Sequence, residues 1–229
     1  MLDDDRGGYD CRMASPRIER PDLPEYMTWE ELERLPEEIA EQIELWNGRV
    51  VWVRRGPGEH QFFSNLLWAA LLRCSRKVMS EDTEQCWRVV TETNIHFDPA
   101  GKSDFVTPDF LVHRCLGPYE DVRATDVFLA GEVLSPGNRQ VDIEAKKSRY
   151  ADAGIPWYWE VHLVSGVSAV EVIRAYGLQT GEGRFPADVH PLHRTNYILI
   201  DEWTPEDRPN GIEFGEPFPI NIPWSELAF

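Results

Sequence analysis

The run Val127 to Leu134 (VFLAGEVL) constrains the fold of this 229-residue chain more than any other stretch. It is apolar but for a single acid, Glu132, and the turn signal Ser135-Pro136-Gly137 bounds it. Such a run reads as a strand covered on both faces. An ionised carboxylate inside it costs several kcal/mol unless a metal or a cation answers it. Asn138 is the expected N-cap of a helix of about sixteen residues. Gly154 ends that helix where a positive φ is wanted, and Pro156 forbids its continuation. Trp157 to Val164 is the next strand, so the stretch is a strand–helix–strand unit.

The helix is polar on one side. Arg139, Asp142, Lys146 and Arg149 recur at spacings of three and four, which puts them on one face. Asp142 and Lys146 are spaced to pair at i, i+4, while Lys147 points about 140° away from Asp142. A buried acid at the end of a strand, followed by a helix presenting Lys146, makes a candidate metal-and-lysine site. The competing reading is a solvated helix face beside a core Glu132 paired with an arginine.

The chain is long enough for one domain with a substantial core, and 42% apolar residues with nine Trp fit a folded globular protein. No stretch of about eighteen apolar residues exists, so no membrane span is expected. MLDDDRGGYD lacks the basic and apolar regions of a secretory signal, which points to the cytoplasm. Cys11, Cys74, Cys86 and Cys115 lie far apart without a CxxC, so reduced thiols are expected and a zinc site is not. The net charge of −17 opposes nonspecific binding to a polyanion. The charge is uneven: residues 201–229 carry seven acids against Arg208 alone, whereas residues 139–149 carry four bases against two acids. A local positive strip within an acidic body is compatible with these numbers.

Residues 1–24 are polar and punctuated by Gly and Pro, as in a mobile tail, and 25–229 reads as a single domain. Thr28 with Glu31 forms a capping box for an N-terminal helix. Asn47-Gly48 between two apolar-rich runs signals a type I′ hairpin that carries Glu44 in its first strand. His60 to Lys77 has the length of a buried helix, and Trp87 to Phe97 alternates as a strand. Pro108 sits where a strand begins or bulges, with Asp109 at the edge of the following apolar run. Val167 to Tyr176, Asn196 to Ile200 and Phe214 to Ile222 are further expected strands. His190 and His193 read as a loop, and Trp157-Tyr158-Trp159 as core, with base stacking its alternative. The sum is one α/β domain.

Several of these pieces together resemble a known family. Glu44-Leu45-x-Asn47-Gly48, His60, Pro108-Asp109, Glu132-Val133-Leu134-Ser135-Pro136, Asp142-x3-Lys146-x3-Tyr150 and Gly154-Ile155-Pro156-x-Tyr158-Trp159 are similar to the Uma-type putative restriction endonucleases. These are a bacterial branch of the PD-(D/E)xK nuclease superfamily. The likeness extends from about Thr28 to the closing PFPINIPWSELAF. It implies a restriction-endonuclease-like core, a mixed β-sheet flanked by helices, preceded here by the N-terminal helix and β-hairpin. It implies a metal-dependent DNA endonuclease, with Asp109 and Glu132 as ligands of Mg²⁺ or Mn²⁺. Two carboxylates with water and phosphate completing the shell suit magnesium. The superfamily lysine would stand two residues after the second acid, where this chain has Leu134; Lys146 matches a lysine migrated to the following helix. Glu44 would add a ligand or hold a water, His60 and Asp142 would complete the catalytic set, and Arg139 and Arg149 would flank it on nucleic acid. A homodimer would serve to cut two strands.

Each residue has a plainer reading. Asp109 could cap a turn, Glu132 and Lys146 could be a structural ion pair, Glu44 a hairpin residue and His60 a core histidine. A rival of another class follows: a nuclease-fold protein without catalysis that binds a protein or nucleic-acid partner. The net charge favours it, and the set Asp109, Glu132 and Lys146 opposes it.

Overall fold

The computed structural model describes residues 20–53, 56, 58–135, 137–180 and 195–228. Cys11, His190, His193 and most of the expected tail lie outside these residues. Of the tail, Leu23 packs on a small apolar cluster around Met27, and the Arg20 guanidinium lies 5.0 Å over the Trp52 ring.

The Thr28 capping box forms as expected, with Glu31 N–H donating to Thr28 Oγ1 and Thr28 N–H to Glu31 Oε2. It opens α1 (Trp29–Leu32), followed by α2 (Glu37–Ala40). β1 (Ile43–Trp46) and β2 (Arg49–Trp52) pair through Asn47 and Gly48, both at positive φ (51° and 79°), the backbone that an Asn-Gly turn supplies. α3 (Gly58–Glu81) turns Phe63, Leu67, Ala70, Leu71 and Cys74 inward, the i, i+3, i+4 stripe of a core-facing helix. β3 (Trp87–Thr91), β4 (Ile95–His96), β5 (Phe105–Val106), β6 (Phe110–Arg114) and β7 (Val127–Leu134) precede α4 (Gln140–Asp152). β8 (Trp157–Leu163), β9 (Val170–Thr180), β10 (Thr195–Trp203), β11 (Ile212–Phe214) and β12 (Ile220–Ile222) complete the order.

The larger sheet runs β10-β9-β8-β7-β6-β3. It is mixed because only β7 and β8, joined by α4, are parallel. The smaller sheet, β2-β1-β5-β4, is antiparallel, and β11 and β12 form a separate hairpin. β7 is buried but for the half-buried Phe128, as its composition requires, and its residues alternate between faces. Leu129 and Val133 join the cluster under α3, while Ala130 joins the one under α4. Gly131 has no room for more: a Cβ there would meet the Phe110 ring at 2.0 Å.

Four expectations change. The strand expected over residues 87–97 breaks at Glu92, whose φ is 45°, and its halves enter different sheets. The strand expected at Phe214–Ile222 is instead the β11–β12 hairpin. α4 is N-capped at Arg139 and is 13 residues long, because Asn138 spends its side chain on the turn, accepting from Ser135 N–H and Oγ–H. Cys86 and Cys115 are bonded to each other rather than reduced. They sit opposite one another where β3 and β6 meet, with Cα atoms 5.4 Å apart, a proximity that the 29-residue separation hid. Cys74 is free and buried. No helix of the described residues is long and apolar enough to cross a membrane.

Candidate active site

Strand register and a set of hydrogen bonds put the expected acids together. The β6–β7 register places Phe110 opposite Gly131, so Asp109, just before β6, stands beside the end of β7. Asp109 N–H donates to Gly131 O, and Val133 N–H donates to Asp109 Oδ2 at 2.6 Å, which fixes the Asp109 carboxylate against Glu132's own strand. Glu132 points to the α4 side, where Tyr150 Oη donates to its Oε1 at 2.6 Å. Glu44 reaches in from β1 of the small sheet, accepting from Thr107 N–H at 3.0 Å and from Trp46 Nε1 at 2.9 Å.

Lys146 on α4 closes the group. Its Nζ lies 2.8 Å from Glu132 Oε1 and 3.2 Å from Glu44 Oε1, and it donates to Thr107 O at 2.9 Å. An ammonium has three donors, and three acceptors surround this one. His60, in the first turn of α3, brings Nε2 to 3.0 Å from Asp109 Oδ2. Glu44, His60, Asp109, Glu132 and Lys146 therefore form one cluster at the bottom of a groove of about 1100 Å³.

The cluster is short of positive charge. Three carboxylates share one lysine and one histidine. Burial pushes the Glu132 carboxyl above its ordinary range; Lys146 pulls it back, and the neighbouring Asp109 charge adds to the rise. Burial works against the Lys146 ammonium as well, but the charges of Glu132, Glu44 and Asp109 outweigh it and raise its pKa. His60 likewise ends up raised, because its bond to Asp109 and the charges of Asp109 and Glu132 exceed the effect of burial. A surplus of buried carboxylate is the condition that a hard cation relieves. Asp109 and Glu132 each commit one oxygen to protein donors, Oδ2 and Oε1, and have a second for an ion. The donor set thus fits a magnesium-like cation, although the described residues contain no ready-made group of three or more such ligands.

The other expected residues are placed differently. Asp142 also lines the groove, but it holds Arg139 through two bonds of 2.7 and 2.8 Å instead of pairing with Lys146. Arg139 is three-quarters exposed at the groove rim. Arg149 is only 15% exposed; its guanidinium bonds Asp104 and lies 5.0 Å over both Trp46 and Phe97, so a phosphate would have to displace Asp104. Lys147 does face away from this cluster, but into the protein. Its Nζ is 2.7 Å from Glu160 Oε1, beside Tyr176, whose hydroxyl donates to Glu160 Oε2. Sequence reasoning gave no role to Tyr150, Thr107 or Trp46. Tyr150 was legible by position, since it follows Lys146 by four residues and so shares its helical face. Tyr158 is fully buried, and among the described residues its hydroxyl has no partner although it borders the groove.

Comparison with known proteins bears on the fold and the family. No curated protein matches the sequence. The solved structure of a putative nuclease of the DUF820 group from Anabaena variabilis is similar to it, with a TM-score of 0.55 at 14% identity. The alignment covers 88% of this chain and 97% of that one, a likeness of fold, and it accords with a restriction-endonuclease-like mixed sheet. Residues 29–182, which hold every residue of the cluster, match the Uma2 family, described as "Putative restriction endonuclease". The chain belongs to the Uma2 family of putative restriction endonucleases.

Proposed function

We propose that this protein is a metal-dependent endonuclease that hydrolyses phosphodiester bonds in DNA, with Asp109 and Glu132 as the metal ligands. The observation that carries the reading is the convergence of Glu44, Asp109, Glu132 and Lys146 from two sheets and a helix onto one groove, with more carboxylate than cation. Magnesium or manganese bound there would polarise the phosphate and acidify a water. The chain's own residues do the positioning. Val133 N–H and His60 hold Asp109, Tyr150 holds Glu132, and Trp46 with Thr107 N–H holds Glu44. Lys146, fixed by three acceptors, keeps a positive charge where the phosphorane becomes more negative.

The test is a melting experiment alongside a cleavage assay. Mg²⁺ or Mn²⁺ should raise the melting temperature of the wild type, and Asp109→Asn should abolish that rise and cleavage together while leaving the fold intact. A metal-induced rise that survives Asp109→Asn unchanged refutes the ligand assignment. The rival reading, a non-catalytic binding protein, is favoured by the net charge of −17. It predicts no cleavage of any nucleic acid in either metal.

A further inference from the structure

The groove's walls bear on what form of nucleic acid it takes. Besides Glu44, Asp109 and Glu132, four more acids border it: Glu33, Glu41, Glu92 and Asp142. Against these seven carboxylates the described lining offers Arg20, Arg49, Arg139 and Lys146 as fixed cations. Three of the four are already paired: Arg49 with Glu25 at 3.5 Å, Arg139 with Asp142, and Lys146 with Glu132 and Glu44. Duplex DNA is held chiefly by cations that neutralise its closely spaced phosphates. Among the described residues this groove has no such strip.

It has indole instead. Trp29, Trp46 and Trp52, all half-buried, border the same groove from α1 and from the β1–β2 hairpin. Trp46 is fixed next to the carboxylate cluster by its Nε1 bond to Glu44 Oε2, and the Arg149 guanidinium lies 5.0 Å over its ring, which leaves the opposite face for a base. Trp52 ends β2, the edge strand of the small sheet, with the Arg20 guanidinium over its ring. A base that has left its stack presents a π-face to such a ring, and stacking there adds to whatever affinity the cations supply. A duplex keeps its base faces inside.

We propose that the groove binds unpaired nucleotides, a single strand or a splayed end, with bases stacked on Trp52 and Trp46, in preference to intact duplex. The proposal rests on the nuclease reading and specifies the substrate of the same groove. The test is fluorescence anisotropy with a labelled twelve-nucleotide oligo(dT) and with the same strand annealed to oligo(dA), using a calcium salt to suppress cutting. The single strand should bind at least tenfold more tightly than the duplex. Trp52→Leu keeps apolar packing on the Met27 cluster but removes the π-face. It should weaken single-strand binding about fivefold or more and leave duplex binding unchanged, while Trp52→Phe retains most of the affinity. Equal affinity for the two forms in the wild type overturns the proposal without any variant, as does a folded Trp52→Leu that binds the single strand like the wild type. If the wild type cleaves duplex in Mg²⁺ or Mn²⁺ with that equal affinity, only this proposal falls. If it neither binds nor cleaves either form, the nuclease reading falls with it.

Discussion

Lys147 offers the sharpest check on the geometry, because the sequence marks it as an innocuous neighbour of Lys146. In the structure its side chain is 13% exposed and Glu160's is 4% exposed, with 2.7 Å between Nζ and Oε1. The ammonium also lies 4.2 Å from the centre of the Tyr176 ring. Glu160 keeps two weaker companions, Tyr176 Oη at 3.1 Å and His162 Nε2 at 3.3 Å. Lys147→Ala would leave the Glu160 charge buried with those alone. Removing one member of a buried ion pair costs about 3–5 kcal/mol, a large share of a domain's 5–15 kcal/mol or so. For a chain of this size that corresponds to a fall of roughly 6–20 °C in melting temperature. The same rule says that replacing both partners with uncharged groups of similar volume is nearly neutral. Lys147→Met with Glu160→Gln should therefore recover most of what Lys147→Ala loses. Urea denaturation of the two variants against wild type measures both numbers. A loss below about 1 kcal/mol for Lys147→Ala, the value of an exposed pair, would refute the claim that this pair is buried and matters.

Lys146→Ala should slow cleavage at least tenfold, about 1.4 kcal/mol in the barrier, as single-turnover rates would show; an unchanged rate would remove Lys146 from the chemistry. The Glu160 carboxyl is opposed by burial but held below its ordinary range by His162, Lys147 and Tyr176. Its contribution to stability is therefore present above the unfolded carboxyl's pKa, about 4.3, and is lost as pH falls through the lower folded value. Urea midpoints from pH 6 to pH 3 should show an acid loss that is smaller in Lys147→Met/Glu160→Gln; identical slopes would contradict the shift. Gly131→Ala should destabilise by about 1–3 kcal/mol or more through the clash with Phe110, and Phe110→Leu in the same chain should restore part of it. A stable Gly131→Ala by thermal melting would show that the Phe110 ring yields.

What the sequence disclosed and withheld follows from distance along the chain. β7, α4 and β8 were legible because an apolar run, a turn and a Gly-x-Pro stop are local signals. The Asn-Gly hairpin was legible for the same reason. Glu92 was not, since nothing local announces a glutamate at positive φ, and so one expected strand became two. The Cys86–Cys115 bond and the Lys147–Glu160 pair depend on sheet register, which no spacing rule encodes. For the candidate site, helical spacing correctly grouped Lys146 with Arg149, but Arg149 was taken by Asp104 from the loop before β5. Periodicity tells which way a side chain leaves the helix, and the fold decides what it meets there.

The crossing of the two sheets at Thr107 has a consequence for how the protein acquires its chemistry. Thr107 links β5 of the small sheet to β6 of the large one; its N–H holds Glu44 and its carbonyl holds Lys146. Glu132 lies in β7 and Asp109 immediately before β6, so the two are brought together once the large sheet has formed. Glu44 arrives only when the hairpin docks, joining segments about a hundred residues apart in sequence from α4. Such non-local closure is expected late in folding, because its loop entropy must be met before the contacts form. A native chain that opens locally at the hairpin would disarm the cluster while the large sheet stayed intact. Amide exchange at Glu44 and Leu45, set against that at Gly131 and Val133, would time the two events separately. Competence to cut would then be set by the least stable sheet.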